Sequence, residues 1–285
     1  MSPVKKIATY SVMLIWAAVT IFPIYWMLLT SFKPRPEWIS KPITWLPKNP
    51  TLDNYDFIFT GDADAVSAIA SASAQSATNA LIDSLILSVS ATILALVVGT
   101  ATAYAISRFK TGGNILPFTI LQLRMFPPVA ALVPLLIMFA SVQAIDTYWP
   151  LILLYTGFTM PFAVWLMKSF IDDVPRALED AAIVDGCSDL GAIWKVVIPN
   201  IRGGLAATSL FVFIIIWSDF IVALTLTQDD VVTLPVQLSK YSTSSGQLLG
   251  PQAAIATIAV IPVMILGIMI QKYLVRGLTF GAVKK

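Results

Sequence analysis

Residues 84–107 read SLILSVSATILALVVGTATAYAIS, a run with no Lys, Arg, Asp or Glu. The hydrocarbon core of a bilayer is about 30 Å thick, and a helix rising 1.5 Å per residue crosses it with about 20 apolar residues. Within lipid a backbone must satisfy its own polar groups, which an α-helix does inside one segment. The run is therefore read as a membrane-spanning helix, and five more of the same kind follow on that scale: 7–30, 115–140, 148–167, 204–227 and 253–274. The expected fold class is an all-α integral membrane protein with six transmembrane helices, forming a single transmembrane domain over 1–285.

Composition agrees. Hydrophobic residues make up 57% of the chain and charged residues 12%, with mean hydropathy +0.81, against about 25% charged residues in soluble domains. A net charge of +2 with scattered basic residues gives nucleic acid nothing to hold. A single cysteine, Cys187, excludes an internal disulfide, and the absence of histidine removes Cys/His metal sites and His-based triads. There is no metal site and no catalytic constellation to assign. No G-x-x-x-x-G-K-[ST] occurs, so the chain has no P-loop of its own; whatever energy it uses comes from an ion gradient or another subunit. The first run, behind Lys5 and Lys6, is longer and more aromatic than a secretory leader and lacks a small-residue cleavage site, so a retained helix is expected.

Six spans place both termini on one side. With the termini inside, twelve of the 18 Lys and Arg residues are cytoplasmic, five are external and Arg124 lies within the third span. The excess of inside basic charge favours N-in, C-in; Lys33 and Arg35, just past the first span, are the main dissent. Three polar segments lie between spans. The external loop 32–83 has a Pro-rich front and an Ala/Ser-rich back over 62–77, and a shorter external loop covers 228–252. Asp83 is expected to be a water-facing charge at a helix N-terminus. The cytoplasmic loop 168–203 carries most of the internal charge.

That cytoplasmic loop contains EDAAIVDG, residues 179–186. It reads as two short helices around a turn. Asp173 is a candidate N-cap with Pro175 in the first turn, and good helix formers run over 176–184. Gly186 suits a left-handed or tight turn. Ser188 is placed to cap a second helix, 189 to about 197, which Pro199 ends. Leu178, Ala181, Ala182 and Asp185 form an i, i+3, i+4, i+7 stripe of mostly small residues, which lets another backbone approach closely. From these residues alone, an interfacial connector lying on the membrane is as good a reading as a docking element.

A wider pattern bears on that choice. LEDAAIVDGCSDLGAIWKVVIP, residues 178–199, resembles the cytoplasmic loop motif of ABC importer permeases, E-A-A-x-x-x-G followed by I-x-x-P. Glu179, Ala181, Ala182, Asp185 and Gly186 take motif positions. Asp180 stands where the first Ala is usual, Cys187 replaces a small residue, and Ile198–Pro199 closes the motif in compressed form. FPIYWMLLTSFKP, MFPPVAALVPL, MPFAVWLMKSFIDDVPRALEDAA and the C-terminal GLTFGAVKK are similar to the maltose-type, carbohydrate permeases, and the resemblance covers most of the chain. The family's W-N-E-F appears here as WSDF, residues 217–220.

The resemblance implies a permease subunit of an ATP-driven importer for a sugar or sugar derivative, a multi-pass protein of the bacterial plasma (inner) membrane and not an enzyme. Its 168–203 loop would be a helix-turn-helix coupling element between spans 4 and 5. Glu179, Asp180, Ala181, Ala182, Asp185 and Gly186 would contact a cytoplasmic ATPase, with Glu179 and Asp185 hydrogen-bonding or pairing with basic groups there. The implied partners are a second homologous permease, two ATPase subunits that bind ATP and Mg, and an extracytoplasmic substrate-binding protein docked on the external loops.

Charges within spans are functional candidates. Arg124 lies about 14 Å into a helix starting near Ile115, and Asp219 about 18–22 Å into the fifth span. An Arg124–Asp219 ion pair between spans is one reading, since an arginine side chain can bridge that gap by snorkelling. In the other, Arg124 lines the translocation cavity and contacts an anionic group of the substrate, and Pro127, Pro128 and Pro134 free backbone carbonyls around it. Trp217 and Phe220 beside Asp219, and Trp165 with Phe162, are candidates for stacking on a sugar ring, or are packing residues. The competing function is an ion-coupled secondary transporter or channel, for which the chain offers few intramembrane carboxylates and no internal repeat.

Overall fold

The computed structural model describes residues 3–61, 76–113, 115–123, 125–243 and 246–281. Most of the Ala/Ser-rich segment 62–77 and Arg124 fall outside them. Four described helices are long and apolar enough to cross a membrane, over Lys5–Ser31, Thr78–Phe109, Tyr148–Asp172 and Leu249–Gln271. Two bent helix pairs raise the total to six if each pair is one span. Among the described residues, strand is confined to a two-residue antiparallel pairing, Ser242–Thr243 with Gly246–Gln247.

The chain divides into two compact units. The first contains Met1–Leu81 and Val236–Ile261. Its long helix α1 (Pro3–Ser31) is followed by a 3-10 turn (Arg35–Glu37) and α2 (Asp53–Thr60). Asn54 ties these together: its buried amide Nδ2 donates to the carbonyls of Ser31 and Lys33, 2.9 Å each. Lys33 is itself buried, its Nζ donating to the Thr44 carbonyl at 2.6 Å and lying 4.0 Å from the Trp26 ring centroid. Of the two charges that argue against the expected topology, Lys33 is therefore engaged within its own loop.

The second unit contains Ile82–Pro235 and Pro262–Lys285. Helix α3 (Thr78–Phe109) enters it, followed by α4 (Ile115–Leu123), α5 (Pro128–Ser141) and α6 (Tyr148–Asp172). The run expected as one span over 115–140 is broken into α4 and α5, whose axes differ by 76°. Pro127 is extended and Pro128 opens α5; neither can donate to a preceding turn, and the residue before each is pushed out of helical conformation.

Beyond the polar loop come α7 (Arg176–Val184), α8 (Asp189–Ala192), a π-turn over Ile193–Val197, α9 (Ile198–Asn200), α10 (Arg202–Trp217) and α11 (Ile221–Leu226). The fifth expected span is thus interrupted at Ser218–Phe220. The remaining helices are α12 (Leu234–Lys240) and α13 (Leu249–Gly281).

Small residues hold α3 to α6. Ala91, Ala95, Gly99 and Ala103 recur every fourth position and are all buried. A Cβ added at Gly99 would lie 2.7 Å from the Ala163 Cβ and 3.3 Å from its backbone. With no hydrophobic force between helices in lipid, such close backbone approach is what drives packing. Around it, Leu87, Leu132, Phe139, Leu151, Tyr155 and Val212 form one buried cluster; Ile106, Met167, Ile171, Val197 and Ile201 form another toward the polar loop.

At the other end of this unit two carboxylates gather loop amides. Asp83 is buried, not water-facing: Tyr148 Oη donates to one oxygen at 2.7 Å and the Val232 amide to the other at 2.9 Å. The expectation of a solvated helix charge fails because the 228–235 segment folds over it, and Val232 and Tyr148 of α6 supply the compensating donors. Asp146, at φ 61°, accepts from the amides of Gln228, Asp229, Asp230 and Val231 at 2.8–3.0 Å. Burial pushes its carboxyl up, and the four amides together outweigh that and hold it below the usual range.

A depressed folded pKa stabilises the fold above the unfolded value of about 3.9 and ceases to do so as pH falls through the folded value. Thermal melting of the solubilised chain from pH 6 to pH 3 is therefore expected to show a stability loss that Asp146→Asn flattens. Asn tolerates the left-handed backbone but leaves two of the four amides facing an NH₂ group.

Candidate functional site

The site is the loop between α6 and α10. Helix α7 begins after Pro175, whose fixed φ and missing N–H suit a helix start. Asp173, expected to cap α7, instead ends α6, because Val174 and Pro175 lie between it and the first turn of α7. Gly186 adopts φ +90° with open space around its Cα; its amide donates to the Ile183 carbonyl at 3.0 Å and that of Cys187 to the Ala182 carbonyl at 2.9 Å. The Ser188 hydroxyl caps α8, accepting from the Gly191 amide at 3.2 Å. The second loop helix does not run uniformly to 197. It widens into the π-turn, and Pro199 sits inside the short α9; the sharp change of direction, 74°, falls after Asn200.

Helix α7 divides by exposure. Leu178, Asp180, Ala181, Ile183, Val184 and Asp185 are exposed, Ala182 is half-buried, and Glu179 is buried at 6% exposure. Glu179 turns its carboxylate toward the end of α3. Arg108 Nε donates to Glu179 Oε1 at 2.6 Å, with Nη2 equally close, and Tyr104 Oη donates to Oε2 at 2.8 Å. Arg108 Nη2 also donates to the carbonyls of Ile171 (3.0 Å) and Val174 (2.9 Å) at the end of α6. Asp172 accepts from Ser107 Oγ and Lys168 Nζ, 2.5 Å each, and Arg176 donates to the Ser107 and Arg108 carbonyls. One guanidinium thus joins three helices, α3, α6 and α7.

The buried pair has both charges compensated, and further hydrogen bonds engage the guanidinium and the second carboxylate oxygen. That is the condition under which a buried ion pair is tolerated. The basic group expected on a partner for Glu179 is present in this chain, 71 positions away. No linear pattern connects Arg108 to Glu179, and sequence reasoning left both Arg108 and Tyr104 unassigned. Asp185, by contrast, stays on the exposed side of the turn.

The intramembrane candidates are distributed differently. Arg124 lies outside the described residues. Asp219 Oδ2 accepts from the Val222 amide and from Tyr155 Oη, 3.1 Å each. Its carboxylate caps the restart of the helix at α11 and ties that break to α6. Trp217 is buried and stacks on Phe213, centroids 5.5 Å apart and planes 17° apart. Phe220 is half-buried. Phe162 meets Phe211 edge-on at 5.2 Å, and Trp165 is 51% exposed. Among the described residues, no group of three or more Cys, Asp or Glu side chains is arranged to hold a metal ion.

These features define a helical membrane protein with several spans and one ordered polar loop pinned to span ends. The family described as binding-protein-dependent transport system inner membrane component matches residues 93–280, and the chain belongs to it. It is a transport component of the bacterial inner membrane. The trehalose transport system permease protein SugB of Mycobacterium tuberculosis is 33% identical over 93% of this chain and 92% of its own length. The sulfoquinovosyl glycerol transport system permease protein SmoH of Agrobacterium fabrum is 32% identical over 93% and 89%. A crystal structure of a bacterial ABC transporter involved in import of the acidic polysaccharide alginate superimposes with TM-score 0.74, covering 95% of this chain and 96% of that one at 20% identity. The fold is that of an ABC permease.

Proposed function

We propose that this chain is a permease subunit of an ATP-driven importer for a sugar or sugar derivative, and that its α6–α10 loop couples substrate movement to ATP hydrolysis on partner subunits. In the N-in, C-in arrangement the loop is cytoplasmic and the chain acts as one transmembrane permease. It works beside a second, homologous permease, two ATPases that hold ATP and Mg, and an external binding protein. The relatives named for trehalose and sulfoquinovosyl glycerol support the carbohydrate class.

The observation that carries the coupling role is the Arg108 clasp. A short helix hung on flexible connections would absorb a push. Helix α7 is instead pinned through Glu179 to the ends of α3 and α6, so a displacement of its exposed face is delivered to both spans. Burying Glu179 leaves Leu178, Asp180, Ala181, Ile183, Val184 and Asp185 as the docking face, and the open turn at Gly186 lets that face protrude. Alternating access at a mid-membrane site then follows from moving spans as rigid bodies. An anionic substrate is the version in which Arg124 lines the cavity.

The coupling reading is tested by replacing Val184, which is 86% exposed, with a photocrosslinking amino acid. Irradiation of the assembled transporter is expected to join α7 to an ATP-hydrolysing subunit.

A further inference from the structure

We propose that residues 39–46 form a closed loop that inserts its apolar tip into the lipid interface beside the C-terminal end of α1, the outer leaflet in the N-in arrangement. The inference needs only that α1 spans the membrane, and it stands or falls separately from the coupling role.

The first observation is depth. Trp45 packs edge-on against Trp26 at 5.8 Å and tilted against Phe22 at 6.4 Å. These partners lie five and nine residues before the end of α1 at Ser31, or about 7 and 13 Å back along the helix axis. A hydrocarbon slab of about 30 Å centred on the apolar run 7–30 ends near residue 28. The chain therefore leaves the span, turns, and returns alongside its last turns to the level of the lipid boundary.

The second observation is that the loop is closed by hydrogen bonds of its own. The Glu37 carboxylate accepts from the Lys48 amide at 3.0 Å and closes the base, and Ser40 Oγ and Thr44 Oγ1 meet at 3.2 Å across the tip. Lys33 reaches back under the loop to the Thr44 carbonyl. Irregular backbone within hydrocarbon needs its hydrogen bonds supplied by protein. In 39–46 protein answers the Thr44 carbonyl, so the loop backbone belongs at headgroup level, where water reaches it, with the apolar side chains extending toward the lipid.

The third observation is what faces outward. Ile39, Ile43, Trp45 and Leu46 are 60–76% exposed. They adjoin the exposed apolar surface of α1 at Phe22, which Trp45 touches. Lys41, in the turn between Ile39 and Ile43, and Lys48, beyond Leu46, are both exposed and are the cations expected at phosphate level. An interfacial Trp with flanking lysines beside a span is the arrangement that lipid headgroups favour, and apolar side chains inserted about 5–10 Å suit such an anchor.

The test uses the full-length chain in its assembled transporter, in liposomes of phosphatidylglycerol and phosphatidylethanolamine. In a Cys187→Ser background, Ile43→Cys and separately Leu46→Cys carry an environment-sensitive fluorophore; both positions are exposed, so packing is not disturbed. Lipids bearing a nitroxide near the headgroup are expected to quench both labels several-fold more strongly than aqueous iodide, and more strongly than lipids with a deep nitroxide. Dominant quenching by iodide would make the loop a solvent-exposed turn and overturn the proposal. Resistance to every quencher would mean that a protein partner covers the tip, and would overturn it equally.

Discussion

Arg108→Ala is expected to reduce uptake by at least an order of magnitude while ATP hydrolysis by the partner subunits persists. Removing the guanidinium leaves Glu179 buried with only the Tyr104 hydroxyl, takes the side-chain donor from the Val174 carbonyl and leaves Ile171 its backbone amide partners alone. Breaking a buried pair on one side costs about 3–5 kcal/mol, because the surviving charge is uncompensated. In the proposed importer that cost releases α7 from the spans, so the docking face moves without moving α3 and α6. Glu179→Gln loses the charge but keeps one oxygen for Arg108, and the Tyr104 hydroxyl can turn to accept from the new NH₂, so its effect is expected to be smaller. Uptake and hydrolysis measured in the same proteoliposomes check both variants. Full uptake by Arg108→Ala would show that the clasp transmits nothing.

The second large effect is at Gly99. Gly99→Leu is expected to lower the yield of folded protein and its melting temperature sharply, and Gly99→Ala to lower them less. The obstruction is the Ala163 Cβ and backbone, and backbone cannot rotate away as a side-chain tip can. Overfilling such a contact costs about 1–3 kcal/mol, occasionally more. The control is Gly157 in α6, where an added Cβ meets nothing within 4 Å. There the gain in helix propensity, about 1 kcal/mol in an interior turn, is the main term, so Gly157→Ala is expected to be neutral or stabilising. Opposite signs for one substitution at two helix glycines, read by thermal unfolding in detergent, would assign the effect to helix contact and not to composition.

The spans were legible because hydrocarbon imposes a length and a composition that few other environments impose. Their interruptions were less so. Pro127 and Pro128 advertise a break, and α4 and α5 separate there. Nothing comparable marks Ser218–Phe220, where Asp219 makes the interruption stable by capping α11 with its own carboxylate. The Ala91–Ala95–Gly99–Ala103 ladder carries its signal in spacing, since small residues at every fourth position mark a helix face that a neighbour can approach closely. Spacing does not say which neighbour, and the choice of Ala163 on α6 comes from the packing.

The short helix 176–184, the turn at Gly186 and the Ser188 cap were all visible from local chemistry. Which side of that helix faced inward was not. Its imperfect amphipathicity says little, and the deciding partner of Glu179 sits at the end of another span. Asp83 shows the same limit: a carboxylate at a helix start is solvated by default, and only the return of residues 228–235 buries it.

The coupling role is tested most directly by the photocrosslink from Val184, taken with and without ATP. A crosslink to the ATPase subunit whose yield changes when nucleotide is added is the predicted result. Crosslinks to lipid alone, or transport by this chain with no ATPase present, would contradict the account.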